Sequence, residues 1–332
     1  MPGGEVKIKA GIIGLGNIGS LFDEDPKRKE VWSHAGAYLS FPGVDLVAGA
    51  DPDKTKLDKF AGRCPHAQLY QDYREMFSDR LDIVSICSPT PLHFEMVSYV
   101  ANSGVKGIFC EKPIAVCVED ARKMVDLCRR QNIVLAVNHT RRWDQNYGVA
   151  KRTIEQGKIG AIRSVIGSYS DKVFMMGTHL LDMLRFYAGD VDWVVGEGAN
   201  LESDDPGIGG ILSFKNGASG FVTCNGKRED FIFQINIAGS EGRIIILDNG
   251  NCTEFYQFKE SNRYSGYREL ERQPLPEPKN SENALISAIT DIVQCIYKGG
   301  QPSCTGEDGL KALELAVALC SSARDNNKKI EL

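Results

Sequence analysis

The first part of the chain alternates short apolar runs with longer amphipathic stretches. Runs at residues 7–13, 44–50, 81–87, 105–110 and 133–137 are rich in Ile, Val, Leu and Ala, which suits strands buried on both faces. The clearest helical period lies in residues 119–131. There Ala121, Met124, Val125 and Cys128 share one face, and Arg122, Lys123, Arg129 and Arg130 fall elsewhere. Strands alternating with helices predict a parallel, doubly wound sheet. Beyond residue 140 the period changes. Residues 162–169 read as a strand, and residues 209–214 and 218–224 as a hairpin with Asn216-Gly217 as a type I′ turn. Phe231, Phe233, Ile235 and Ile237 alternate with Ile232, Gln234 and Asn236, the period of a strand with one buried face. Residues 243–247 continue this pattern after the turn Gly239-Ser240-Glu241-Gly242. Pro274-Leu275-Pro276-Glu277-Pro278 reads as a stiff connector, and residues 282–297 and 306–326 as two closing helices. The expected fold is α/β. A doubly wound parallel sheet occupies residues 1–138, and residues 139–332 form an α+β domain on a largely antiparallel, open-faced sheet. Such an open face commonly supports self-association, so a homodimer or homotetramer is expected.

In doubly wound sheets, ligands bind beyond the carboxyl ends of the strands. Each apolar run here ends in a polar motif. The first enters Gly14-Leu15-Gly16-Asn17-Ile18-Gly19, and the second ends in Asp51. The third ends in Ser88-Pro89-Thr90-Pro91, the fourth in Glu111-Lys112-Pro113 and the fifth in Asn138-His139. A glycine fingerprint that follows a strand and opens a helix is the Rossmann signature of dinucleotide binding. Gly14 makes the tight turn, Gly16 lets backbone approach a pyrophosphate, Gly19 lets helix and strand pack closely, and the helix N-terminus faces the phosphates. Asp51 can accept hydrogen bonds from the adenosine ribose and would repel a 2′-phosphate. NAD is therefore favoured over NADP, with Lys54 and Lys56 weakening the exclusion. The acid usually stands roughly 20 residues beyond the fingerprint, and the gap here is nearly twice that. The charged stretch at residues 21–32 accounts for the excess as an insertion near the first helix.

Composition narrows the function classes. The 332 residues are 42% hydrophobic and 25% charged, with a net charge of −5. That balance argues against a nucleic-acid partner, which needs a basic face. No stretch approaches the roughly 20 apolar residues of a membrane span, and the N-terminus lacks a secretory signal pattern. A cytoplasmic enzyme is expected. The ten cysteines contain no Cys-x-x-Cys pair and several lie in apolar runs, so they read as reduced, buried thiols. The five histidines show no ligand spacing, so no metal is expected.

Taken with Asp51-Pro52-Asp53, His93, Arg141-Arg142 and Gly177-Thr178-His179-Leu180-Leu181-Asp182, these motifs give a chain that resembles the glucose–fructose oxidoreductase / inositol dehydrogenase (Gfo/Idh/MocA) family over nearly its whole length. The resemblance implies that Lys112 is catalytic and that His179 is the acid/base. The chemistry fits independently: alcohol oxidation needs a proton acceptor as hydride leaves, and imidazole, with a pKa of about 6.5, suits that role. Lys112 would hydrogen-bond the same hydroxyl and stabilise developing charge. Glu111 would position either the lysine or the nicotinamide ribose. The expected cofactor site comprises Gly14, Leu15, Gly16, Asn17, Ile18, Gly19, Asp51, Ser88, Thr90, His93, Glu111 and Lys112. His93 could equally cap or pack the following helix. The expected substrate site comprises Lys112, His139, Arg142, Trp143, Met175 and His179. Trp143 suits a sugar ring or hinge packing.

The family often carries an aspartate four residues before the histidine, where this chain has Met175. Asp182 one turn after His179, Asp171 on a folded-back loop, or a site without that carboxylate all remain open. His34 and His66 have no chemical context. Specificity is expected from loops after Arg142, at residues 169–176 and at residues 263–268, where Tyr264, Tyr267 and Arg268 face either a substrate or the sheet edge. The leading function is NAD-dependent hydride transfer to or from a secondary alcohol of a sugar, sugar derivative or cyclitol. A redox-neutral glycosidase using bound NAD and a non-catalytic dinucleotide or sugar sensor are the alternatives.

Overall fold

A computed structural model describes residues 7–78, 80–199, 201–278 and 282–332. The strands are β1 (Ile8–Ile13), β2 (Val44–Ala50), β3 (Gln68–Tyr70), β4 (Ile83–Ile86), β5 (Gly107–Cys110), β6 (Val134–Val137), β7 (Ile162–Tyr169), β8 (Val191–Ala199), β9 (Gly207–Phe214), β10 (Ser219–Cys224), β11 (Phe233–Gly239), β12 (Gly242–Leu247), β13 (Cys252–Glu260), β14 (Arg268–Gln273) and β15 (Ile330–Glu331). The α-helices are α1 (His34–Ser40), α2 (Lys54–Arg63), α3 (His93–Ala101), α4 (Val118–Arg130), α5 (Gln145–Glu155), α6 (Thr178–Ala188), α7 (Ala284–Lys298) and α8 (Gly306–Arg324). Two compact units result. One holds Met1–Trp143 and Glu282–Leu310, the other Asp144–Ser281 and Lys311–Leu332. The sequence places a single break after residue 138; in the structure the chain returns to the first unit through α7, because Ile292 and Ile296 of that helix pack on Gly107 of β5.

The first unit is a six-stranded parallel sheet in the order β3-β2-β1-β4-β5-β6. Every residue of β4 and β5 is buried, as the unbroken apolar runs predict. The order reverses between β1 and β4, so their carboxyl-terminal loops flank the crevice where such sheets bind ligands. The helix expected after the fingerprint is split. Ser20 N–H donates to the Gly16 carbonyl at 2.9 Å, closing one turn, and the chain then leaves through a 3₁₀ segment, Leu21–Glu24. It returns at α1, where His34 and Ala35 donate to Ile18 and Gly19 at 2.9 and 3.0 Å. An unbroken helix would bring those carbonyls to residues 22 and 23. The charged stretch is thus an excursion out of a helix whose hydrogen-bond ladder closes again behind it. Asp23 holds the excursion down, accepting from Trp32 N–H and Ser33 Oγ at 2.6 Å each and pairing with Arg63.

The second unit is built on a nine-stranded sheet in the order β14-β13-β12-β11-β7-β10-β9-β8-β15, antiparallel except where β10 runs parallel to β7. One face buries Val165, Leu212, Ile235 and Ile244 with Leu180, Leu184 and Leu319. The other carries Ile211, Phe221 and Ile166 as direct cross-strand neighbours, each about two-fifths exposed. Alternation holds in β11, with Phe233, Ile235 and Ile237 buried, but Phe231 lies before the strand and is exposed. The β9–β10 turn is not type I′, which needs two left-handed residues. Only Gly217 is left-handed, at φ +86°, and Asn216 spends its side chain on Ala188 and Ala218. Gly217 N–H donates to Phe214 and Phe214 N–H to Ala218, the pattern of a type I turn with a bulge.

Candidate active site

Each fingerprint glycine has a distinct steric reason. Gly14 sits at φ +90°, and a Cβ there would lie 2.7 Å from the Cys87 carbonyl. A Cβ on Gly19 would lie 2.0 Å from the Gly14 oxygen, so the turn closes only without one. Around Gly16 a Cβ would meet nothing within 4 Å; the backbone faces open space there. Ser88, on the opposing β4 loop, has a buried hydroxyl without a hydrogen-bond partner among the described residues. An open backbone turn beside an unsatisfied hydroxyl is a fitting cradle for a dinucleotide pyrophosphate.

Asp51 is 4% exposed. Its carboxylate accepts from Leu15 N–H at 2.8 Å and from Asp53 N–H at 3.0 Å, and Lys56 Nζ stands 3.4 Å from both oxygens. The acid at the end of β2 therefore holds the glycine turn in place. Thr90 opens a short 3₁₀ turn, Thr90–Leu92, ahead of α3.

The Glu111-Lys112-Pro113 segment leaves β5 and is fixed by a buried polar network. Glu111 Oε1 accepts from His34 Nε2 at 2.9 Å and from Asn138 Nδ2 at 2.6 Å, and Oε2 accepts from the backbone N–H of Lys112 at 3.3 Å. His34 Nδ1 lies 2.9 Å from Ser85 Oγ, which lies 2.8 Å from the Tyr38 hydroxyl. A carboxylate only accepts, so the His34 proton on Nε2 points to Glu111. Burial pushes the Glu111 carboxyl up. Hydrogen bonds from His34 and Asn138, with the Lys112 ammonium, outweigh that and hold it below its ordinary value. Burial pushes the neighbouring Cys87 and Cys110 thiols well up, which keeps them neutral. Lys112 is half-buried and joined to Pro113 by a cis peptide.

His93 is fully buried at the start of α3. Its Nε2 lies 2.9 Å from the Ser88 carbonyl and its Nδ1 3.0 Å from the Pro113 carbonyl. His139 is buried after β6. Arg142 and Trp143 are occupied inside the first unit: Arg142 pairs with Asp308 at 3.0 Å, and the Trp143 indole donates to Asp291 at 2.7 Å and meets Phe109 edge-on. Trp143 is 4% exposed, so of the two uses open to it the structure gives it packing.

In the second unit the segment before His179 is a π-helical turn, Val173–Gly177, running directly into α6. Such turns are frequent at functional sites. Asp205 accepts from Phe174 N–H at 2.8 Å and fixes the turn, a role the sequence does not announce. Met175 is exposed, while His179 and Asp182 are buried on the same helix face. Asp171 has φ +77° and its carbonyl accepts from Cys224 Sγ. Tyr264 and Tyr267 are exposed on the turn of the β13–β14 edge hairpin, and Arg268 pairs with Glu241 at 2.7 Å.

The chain belongs to the Gfo/Idh/MocA oxidoreductase family. Residues 8–139 match its NAD-binding Rossmann fold and residues 151–332 its C-terminal alpha/beta domain. D-apiose dehydrogenase of Paraburkholderia graminis is 27% identical over 90% of this chain and 86% of that protein. Myo-inositol 2-dehydrogenase of Thermotoga maritima is 26% identical over 96% and 97%. Among solved structures, levoglucosan dehydrogenase in complex with NADH and levoglucosan superposes with a TM-score of 0.80 at 22% identity, covering 98% and 99% of the two chains.

Proposed function

We propose that this protein is an NAD-dependent dehydrogenase of a secondary alcohol on a sugar, sugar derivative or cyclitol. The observation that carries the reading is the anchored Lys112, whose backbone is held by Glu111 at the end of β5, with β4 between it and the strand that enters the open glycine turn. The named relatives act on an apiose and an inositol, which supports a polyhydroxylated substrate. When bound, NAD supplies the hydride acceptor. Residues 14–19 with Ser88 and Thr90 hold its phosphates, and Asp51 and Glu111 serve its riboses. The Lys112 ammonium hydrogen-bonds the substrate hydroxyl and stabilises negative charge on that oxygen, and His179 accepts its proton. Met175, exposed on the π turn, and His139, after β6, are the further substrate contacts of this reading.

The domain division at residue 138/139 is read functionally: cofactor before it, substrate contacts and self-association after it. Ile211, Phe221 and Ile166 form an apolar row on the open sheet face, which supports a homodimer or homotetramer. No described helix is long and apolar enough to cross a membrane, and a cytoplasmic location accords with the expected reduced state of the buried thiols. The test is fluorescence titration with NADH and NADPH, then a panel of sugars and cyclitols with the preferred cofactor. Tighter NADH binding with NAD-linked turnover is expected. Tight binding with hydrolysis and no net redox change would favour the glycosidase, and binding without any turnover the sensor.

A further inference from the structure

The Glu111-Lys112-Pro113 segment is gripped on both sides of the lysine by buried imidazoles, neither of which the proposed chemistry uses. His34 reaches Glu111 from α1, and His93 reaches the Pro113 carbonyl from α3. Both rings are 0% exposed. The second nitrogen of each also meets a polar group on β4 or its following loop: His34 Nδ1 faces the Ser85 hydroxyl, which can donate to it, and His93 Nε2 faces the Ser88 carbonyl, so a neutral His93 ring donates to one of its two carbonyls at a time. Neither ring is simply filling space. A buried imidazole packed between two polar groups is restricted in orientation, and the groups it meets are held close to each other.

We propose that His34 and His93 are positioning residues that clamp the backbone on either side of Lys112, through Glu111 and through Pro113, and so set where its ammonium stands. The inference rests on the reading of Lys112 as the hydroxyl-binding cation. His34 acts through a carboxylate that holds the lysine's own amide N–H. His93 acts through the next peptide carbonyl and ties that segment to the Ser88 loop. Lysine has four rotatable side-chain bonds, so fixing the backbone at both neighbours is the economical way to aim it. A displacement of about 1 Å at a reacting group costs on the order of a hundredfold in rate.

The test uses the full chain with His34→Phe, His34→Gln, His93→Phe, His93→Asn and Lys112→Met. Glutamine at 34 keeps an amide donor near Nε2, which reaches Glu111, asparagine at 93 keeps one near Nδ1, which reaches Pro113, and phenylalanine keeps the ring without either. Three quantities are read: kcat against KM, the NADH Kd, and the ¹³C resonance of Lys112 after reductive methylation of the cofactor-free protein, assigned by its loss in Lys112→Met. Both Phe variants are expected to lower kcat by about a hundredfold, with KM and NADH Kd within about threefold of the parent. The Lys112 resonance should shift, and His34→Gln and His93→Asn should recover at least part of both losses. Phe variants that fold, keep kcat within twofold and leave the Lys112 resonance in place would overturn the clamp. If the Phe variants do not fold, His34→Asn and His93→Gln, whose amides cannot reach Glu111 and the Pro113 carbonyl, take their place, and parental kcat with an unshifted Lys112 resonance in both overturns the clamp as well. Full turnover in Lys112→Met would instead sink the function reading, whatever the histidine variants do.

Discussion

At the residue scale, Gly16 and Gly19, three positions apart in one turn, answer to opposite demands. Gly19 is required by the fold, since a Cβ would strike the Gly14 carbonyl at 2.0 Å. Gly16 faces open space and is required only by what approaches it. Gly19→Ala should therefore lower stability by about 1–3 kcal/mol through overpacking. Gly16→Ala should stay within about 0.5 kcal/mol of the parent while losing on the order of tenfold in NADH affinity. Thermal unfolding and NADH titration separate the two, and equal affinity in Gly16→Ala would contradict a phosphate-facing turn. The sequence motif carries this distinction because its glycines act on near neighbours in the chain. It does not carry His34. That ring meets Glu111 and Ser85, far along the chain, and helix, strand and loop periods say nothing about such pairs. One signal could have found it: with residues 21–32 removed, His34 falls one turn beyond Ile18 on the first helix, facing the sheet. Trp143 shows the converse, an aromatic suited to a sugar ring whose indole N–H donates to Asp291 instead.

At the element scale, the split helix explains the long gap between fingerprint and acid. The excursion survives because Asp23 satisfies backbone and side-chain donors from its far end and pairs with Arg63 of α2. Burial pushes the Asp23 carboxyl up, but Arg63, Ser33 and the Trp32 N–H outweigh it and hold it below its ordinary 3.8. A depressed carboxyl contributes stability above its unfolded value and loses it as pH falls through the folded one. Asp23→Ala should therefore cost about 2 kcal/mol at neutral pH, with the gap to the parent closing as pH falls below about 3.8. Urea unfolding at pH 7 and pH 3 checks this, and a gap unchanged between them would place the cost outside the carboxylate. The strands buried on both faces were legible as apolar runs. β3 was not, since it is a three-residue edge strand with two exposed side chains, and edge pairing leaves little hydrophobic signature. The β9–β10 turn was legible as a hairpin and misread in type, because Asn216 satisfies its neighbours with its side chain rather than adopting a left-handed backbone.

At the scale of the whole molecule, periodicity distinguished a parallel α/β half from a mostly antiparallel one because the two sheets bury different numbers of faces. It could not foresee that α7 rejoins the first unit, which depends on its packing against Gly107 rather than on its own pattern. The apolar row on the open face gives the proposed self-association its test. Phe221→Lys should shift the protein toward monomer in analytical ultracentrifugation at micromolar concentration. A parent that is itself monomeric there would refute the assembly.

The central claim is that Lys112 directs hydride chemistry on a substrate hydroxyl rather than merely ending a strand. The most direct measurement compares parent and Lys112→Met for NADH affinity and for NAD reduction on the best sugar or cyclitol substrate. The account predicts NADH Kd within about threefold and kcat lower by at least about a hundredfold. Turnover at the parental rate in Lys112→Met, with NADH still bound, would contradict it.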